Sequence, residues 1–293
     1  MRKQLQDFLE KRIQHYVSAS RDEEISEQAQ LKIDACMKRS AEIVKVKATG
    51  KILEKAADEE FSKAKYQLHF QYLIKQKGTL YIEEEVEQRE AKFYKNVLVE
   101  DNEIIPDDGS IKIDSEPDLW RQEEENDDRG PFEYNRLRAV QYAERWWNDY
   151  NPAYKKFQND CTSFISQCLR AGGAPMRGYP NRGSGWWING NKYSYSWAVA
   201  NSLRLYLANS KAGLRAIEVS KPDLLLPGDV ICYDFQGDGR FDHNTIVVAK
   251  DANGMPLVNA HTYNSRMRYW AYTDSTAYTP NIKYKFYSIL GGR

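Results

Sequence analysis

The chain has 293 residues, with 42 Lys+Arg against 42 Asp+Glu and so no formal net charge. This length suits one or two domains, and the balanced charge argues against a general nucleic-acid binder, which is normally basic. Its four cysteines (Cys36, Cys161, Cys168, Cys232) make neither a disulfide framework nor a zinc-finger spacing, and with no signal-peptide core and no long apolar run the expectation is a soluble, cytoplasmic protein.

In chain order, Leu5, Phe8, Leu9, Ile13, Tyr16 and Val17 recur at three- and four-residue steps and predict helix within residues 1–40. Ser20 followed by Glu23 fits a capping box that restarts a helix, with Ile25, Ala29, Ile33 and Cys36 as its apolar stripe. "EIVKVKATGKILEK" and "AKYQLHFQYLIKQ" then alternate apolar and polar residues, the signature of half-buried strands, with a turn at Gly78-Thr79. "TLYIEEEVEQREAKFYKNVLVED" reads as strand in its early part and stays open between strand and helix beyond it. Helices followed by an antiparallel meander predict an α+β domain over residues 1–115. Residues 116–132 read as an acidic linker in a stretch broken by Pro106, Pro117 and Gly130.

A second domain, 133–293, opens with a helix that Asn135 can cap and that carries Leu137, Val140, Ala143 and Trp147 on one side. A helix over 160–171, an aromatic Gly/Pro loop over 172–192 and a helix from Ser196 to Leu207 follow. Short strands are expected at Val230–Phe235, His243–Lys250 and Leu257–Thr262, turned by "QGDG" and "DANG", with a last strand in "NIKYKFYSI".

The chemistry concentrates in this half. Asp160 is a favourable N-cap, which puts Cys161 in a first helical turn where unpaired N–H groups and the helix dipole favour a thiolate. Cys161, Phe164, Ile165 and Cys168 share one helical face, so the cysteine equally fits a small buried hydrophobe, as do Cys36, Cys168 and Cys232. A thiol nucleophile needs a base. His15 and His69 belong to the first half, on a solvated helix and within a strand, whereas His243 opens a strand directly after a turn, at a sheet rim where an imidazole is both held and reached. Asn259 and His261 share a strand face, and either could orient the far nitrogen of His243. Trp186 and Trp187 follow glycines in the aromatic loop and fit either cleft lining or packing, while Trp197 fits packing. Asp234, Asp238 and Asp242 surround "GDG" without EF-hand spacing and read as a hairpin with solvated acids, so neither a metal nor a cofactor is expected.

"NDCTSFISQCL", "GYPNRGSGWW…YSYSW", "LLPGDVICYDFQGDGRFDHNTIVV" and "NAHT" together resemble, in order, the putative amidase domain of Gram-positive spore-forming bacteria, a group similar to NlpC-type and CHAP-type cell-wall hydrolases. The resemblance covers about residues 133–290 and implies a papain-like α+β hydrolase domain with helices packed on an antiparallel sheet. It implies Cys161 as nucleophile, His243 as base, His261 or Asn259 as the third member, and Gln158 or Asn159 as a side-chain donor to the oxyanion beside the Cys161 N–H. The implied substrate is a peptide or peptidoglycan stem, with no nucleic acid and no integral membrane segment. A non-catalytic binding module and a thioester acyltransferase are the competing readings. A spore-associated location would reconcile a wall substrate with cytoplasmic synthesis. The first half looks like an NTF2-like or cystatin-like accessory domain, with room for a protein partner.

Overall fold

A computed structural model describes residues 1–17, 26–58, 60–104 and 132–291. The capping box at Ser20 and Glu23, and nearly all of the acidic linker, lie outside the described residues. Two compact units emerge: Met1–Asp107 with Tyr263–Tyr278, and Asp108–Thr262 with Thr279–Arg293. Both are mixed α+β with antiparallel strands. Among the described residues no helix is long and apolar enough to cross a membrane.

The first unit has helices α1 (Arg2–Val17) and α2 (Glu27–Lys38) and strands β1 (Ala41–Ala57), β2 (Phe61–Gln76), β3 (Thr79–Tyr94) and β4 (Val97–Glu103). Strands β1, β2 and β3 form the antiparallel meander, β4 pairs with β3, and the stretch left open by its sequence is strand throughout Thr79–Tyr94. Period-two burial in β2 aims Ala64, Tyr66, Leu68, Phe70, Tyr72 and Ile74 into the core, where Tyr16 and Cys36 of the helices meet them. His69 points the other way and bonds Glu84 Oε2 at 2.8 Å, and His15 Nδ1 accepts the Ser26 N–H at 3.4 Å.

A charge cluster ties Tyr263–Tyr278 into this unit. The Lys32 ammonium, buried on α2, bonds Glu83, Glu85 (2.8 Å) and Asp274 (2.8 Å), and Arg268 adds a 3.1 Å pair to Asp274. Glu83, Glu85 and Asp274 converge as metal ligands do, but the Lys32 cation already occupies their centre. Burial opposes the Lys32 charge, and the three carboxylates overcome it, so its pKa lies well above the ordinary lysine value.

The second unit has helices α3 (Arg136–Trp146), α4 (Cys161–Ala171), α5 (Tyr195–Ala198) and α6 (Ala200–Asn209). Its small hairpin is β5 (Ile188–Asn189) with β6 (Lys192–Tyr193), and its sheet strands are β7 (Arg215–Val219), β8 (Val230–Asp234), β9 (His243–Lys250), β10 (Pro256–Ala260) and, after β11 (Ser265–Tyr269) of the first unit, β12 (Lys283–Leu290). Antiparallel pairing runs β10-β9-β8-β12-β7. The single helix expected from Ser196 to Leu207 is two, because Val199 is extended (φ −117°, ψ 126°) and separates α5 from α6. Strand β10 ends at Ala260, so His261 and Thr262 belong to the loop beyond it.

Helix α4 is central. It packs on β9 and β10 beside α3 and α5, and every residue from Cys161 to Leu169 is buried, well beyond the single face its sequence predicts. Its polar residues are satisfied internally, as burial demands. Ser166 donates to Trp197 O (2.9 Å) and accepts the Trp186 indole N–H (3.0 Å), while Gln167 accepts from Tyr142 (2.7 Å) and donates to Ser163 (3.0 Å).

Lys32→Met should lower stability by about 3–5 kcal/mol in denaturant unfolding, because it strands buried carboxylates. The Lys32 and Arg268 cations hold the Asp274 carboxyl well below its ordinary range against the opposing effect of burial. Its contribution is therefore full above the ordinary carboxylate range and is lost as pH falls toward the folded value. The acid side of a stability–pH curve should flatten in Asp274→Asn.

Candidate active site

Cys161 is the first residue of α4 and 7% exposed, and it lines a cleft of ≈ 460 Å³. Gln158, Asn159, Phe157, Thr162 and Tyr193 line the cleft near it, the α5–α6 break contributes Ala198 to Asn201, and the loop before β9 contributes Gln236, Asp238, Arg240, Phe241 and Asp242. Gln158 is exposed and Asn159 half-buried.

Asp160 precedes the helix, but its side chain makes no cap hydrogen bond. Thr262 Oγ1 takes that part by accepting the N–H groups of Asp160 (3.2 Å) and Cys161 (3.3 Å). Thr262 sits at φ 77°, a costly conformation for a β-branched residue. The Asp160 carboxylate is 2.9 Å from His261 Nδ1, and His261 Nε2 lies 2.7 Å from Trp146 O. Phe164 stacks on the His261 ring at 3.9 Å, and Tyr150 meets it edge-on at 5.4 Å. Both His261 nitrogens are thus engaged away from His243. His261 lies past the end of β10 and under α4, where it bonds Asp160. Asn259 Nδ2 donates to Glu144 Oε1 on α3 at 2.8 Å.

His243 is the first residue of β9, opposite Tyr233, with ring contacts to Tyr233 (5.7 Å) and Phe235 (6.2 Å). The next residue, Asn244, turns to α4. Its amide donates to Thr162 Oγ1 at 3.0 Å. Burial pushes the Cys161 thiol above its ordinary pKa, while Thr162, the Asn244 N–H and Thr262 pull it partly back. The lowered pKa expected from the helix start is therefore not found, because the position is desolvated as well as dipolar. Cys168 and Cys232 lie at 0% exposure, and burial raises both.

Trp186 and Trp187 do not line the cleft. They are 0% and 2% exposed, and their indole N–H groups are used internally, Trp186 on Ser166 and Trp187 on Asn181 O (3.0 Å) and Ser184 O (3.1 Å). Gly185 fixes this loop at φ 67°, where an added Cβ would stand 2.1 Å from Arg177 O. The rings that do line the cleft are Phe157, Tyr193 and Phe241, the first two meeting edge to face at 4.8 Å. Asp234 uses its carboxylate on the N–H groups of Gly237 (2.7 Å), Asp238 (3.2 Å) and Gly239 (2.8 Å), so it shapes the loop carrying Asp238 and Asp242.

Residues 133–287 match the family model described as a putative amidase domain, more than half of the chain. The chain belongs to the putative amidase domain family. It is 55% identical over 257 residues to the uncharacterized protein YhbB of Bacillus subtilis strain 168, covering 86% of this chain and 83% of that protein. An alignment of 257 residues cannot fit after position 133 of a 293-residue chain, so the likeness extends into the first unit. The uncharacterized protein YjcM of the same organism is 31% identical over 142 residues, 45% of this chain and 31% of that protein. No solved structure matches. The family match spans α3 through most of β12 and so contains Cys161, His243, Asn259 and His261 together.

Thr162 and Asn244, bonded at 3.0 Å beside Cys161, are residues that the sequence does not single out. Thr262→Val should remove the acceptor for two helix N–H groups and cost about 1–2 kcal/mol in thermal unfolding, whereas Thr262→Ser should stay near the parent.

Proposed function

We propose that this chain is a cysteine-nucleophile hydrolase of amide bonds on a papain-like scaffold of the NlpC and CHAP kind. Membership of the putative amidase domain family supports amide hydrolysis. The observation that supports the cysteine mechanism is Cys161 at the head of α4 in the wall of the cleft, beside Thr162, which accepts the Asn244 amide at 3.0 Å. His243 directly precedes Asn244 on β9.

In this mechanism His243 accepts the thiol proton and the Cys161 thiolate attacks the amide carbonyl. Side-chain donors from Gln158 or Asn159 receive the oxyanion; the Cys161 N–H is already engaged by Thr262 at 3.3 Å. The tetrahedral adduct collapses as protonated His243 gives its proton to the leaving amine. Water, deprotonated by His243, then hydrolyses the thioester and releases the acid and the thiol. A thiol raised by burial is neutral at rest, which suits general-base activation rather than a preformed ion pair. Asn259 and His261 act as supports of the α3–α4 face.

The substrate we assign is a peptide or peptidoglycan stem. Tyr193 offers a ring to the cleft, with Lys155 at 5.0 Å and Arg182 at 4.7 Å over it, an edge suited to peptides bearing carboxylates. A spore-envelope setting fits such a substrate.

Cys161→Ala should abolish hydrolysis of stem-type peptide amides, and His243→Ala should lower kcat/KM by about 10²–10⁴-fold while the protein stays folded. Iodoacetamide labelling confined to Cys161 should inactivate in parallel. Full turnover in folded Cys161→Ala would sink the cysteine mechanism. Binding without turnover would identify the non-catalytic module, and amine incorporation outrunning hydrolysis would identify the acyltransferase.

A further inference from the structure

We propose that Thr162 and Asn244 form a donor pair that stabilises the Cys161 thiolate: the Asn244 amide fixes the Thr162 hydroxyl so that its proton faces the sulfur. The pair rests on the reading of Cys161 as the nucleophile and adds two positioning residues to it.

The geometry runs in one chain. Asn244 Nδ2 stands 3.0 Å from Thr162 Oγ1, and Thr162 Oγ1 stands 3.7 Å from Cys161 Sγ, within sulfur hydrogen-bond range. A hydroxyl has one proton and two acceptor positions. With one acceptor position filled by the amide, the proton is left for the sulfur. Thr162 is 1% exposed and Asn244 0%, so bulk water does not compete for either group. Asn244 is set in the sheet by its pairing with Cys232 on β8.

This pair answers a specific need. Burial opposes ionisation of the thiol, and the neighbouring Asp160 carboxylate opposes it further. The other titratable or charged groups around the sulfur are Cys232 on β8, His243 next along β9, and Asp238, Arg240 and Asp242 on the cleft wall. His261 acts on Asp160 and not on the sulfur. Thr262, whose oxygen already accepts two helix N–H groups, contributes the remaining contact. Fixed neutral donors lower the energy of the thiolate without adding a competing base, and they are in place before substrate arrives.

The test is the pH–rate profile of iodoacetamide alkylation at Cys161 in the full chain, read by mass spectrometry, beside kcat and KM for amide hydrolysis. Thr162→Val should move the alkylation inflection up by about one pH unit, roughly a tenfold loss of thiolate at a given pH below it. It should lower kcat and leave KM nearly unchanged. Thr162→Ser, which restores the hydroxyl, should return both readouts to the parent. Asn244→Ala, which removes the amide, should shift the inflection in the same direction by less, and it serves if the valine variant does not fold. An unshifted inflection in folded Thr162→Val or Asn244→Ala overturns the pair, as does a shift that Thr162→Ser fails to reverse. Alkylation does not require turnover. A protein whose Cys161 titrates as described but which cleaves no amide defeats the hydrolase reading and leaves the donor pair standing.

Discussion

Thr262 Oγ1 accepts the first two N–H groups at the head of α4, and His261 beside it holds the Asp160 carboxylate. Two consecutive loop residues thus fix both the backbone and the side chain that precede Cys161. A helix end is otherwise its loosest part, because its first N–H groups have no internal partners. Here the end must be firm, since the Asn244 amide that bonds Thr162 comes from a different element. The φ of 77° at Thr262 is the local cost of that firmness. A β-branched residue in the left-handed region persists only where its surroundings over-determine it, and two hydrogen bonds to one oxygen do so.

The same constraint explains why α4 is polar and buried together. Thr162, Ser163, Ser166 and Gln167 are interior, and each meets a partner on α3, β9, the tryptophan loop or α4 itself. A wholly apolar helix would pack as well but would not fix its rotation and register, whereas hydrogen bonds to several different elements do both. The tryptophans gain their role from this arrangement. Trp186 and Trp197 meet at 4.9 Å, and both bond Ser166, so aromatic mass suited to sugar stacking serves instead as the wall against which α4 rests.

Much of this was legible in the sequence. Alternation in "AKYQLHFQYLIKQ" marks β2, and Asn135 does cap α3 by accepting the Arg138 N–H at 3.0 Å. The helix after Asp160 was visible as a stripe, but its burial on all sides was not, because that depends on neighbours far away in the chain. The partner of His261 was illegible for a related reason. Strand alternation groups His261 with Asn259 only if the strand runs on to Thr262, and β10 stops at Ala260. Two residues past its end, the chain is free to turn its polar groups onto α4. Thr162 and Asn244 gave no signal, since a threonine in a helix and an asparagine in a strand are common, and only the 3.0 Å contact between them gives them meaning.

Period-two geometry has a further bearing on the site. Asn244 shares its face with Cys232, its cross-strand partner, and both lie toward α4, so His243 starts β9 on the face of Tyr233 and Phe235. A base mid-strand with that orientation would be cut off from the helix. As the strand's first residue, His243 directly follows the loop that carries Asp238 and Asp242 into the cleft. In the proposed mechanism, proton transfer and thiolate stabilisation are divided between adjacent residues of β9, His243 for the first and Asn244 with Thr162 for the second. That division would let a desolvated thiol remain neutral at rest and still ionise when a carbonyl is in place.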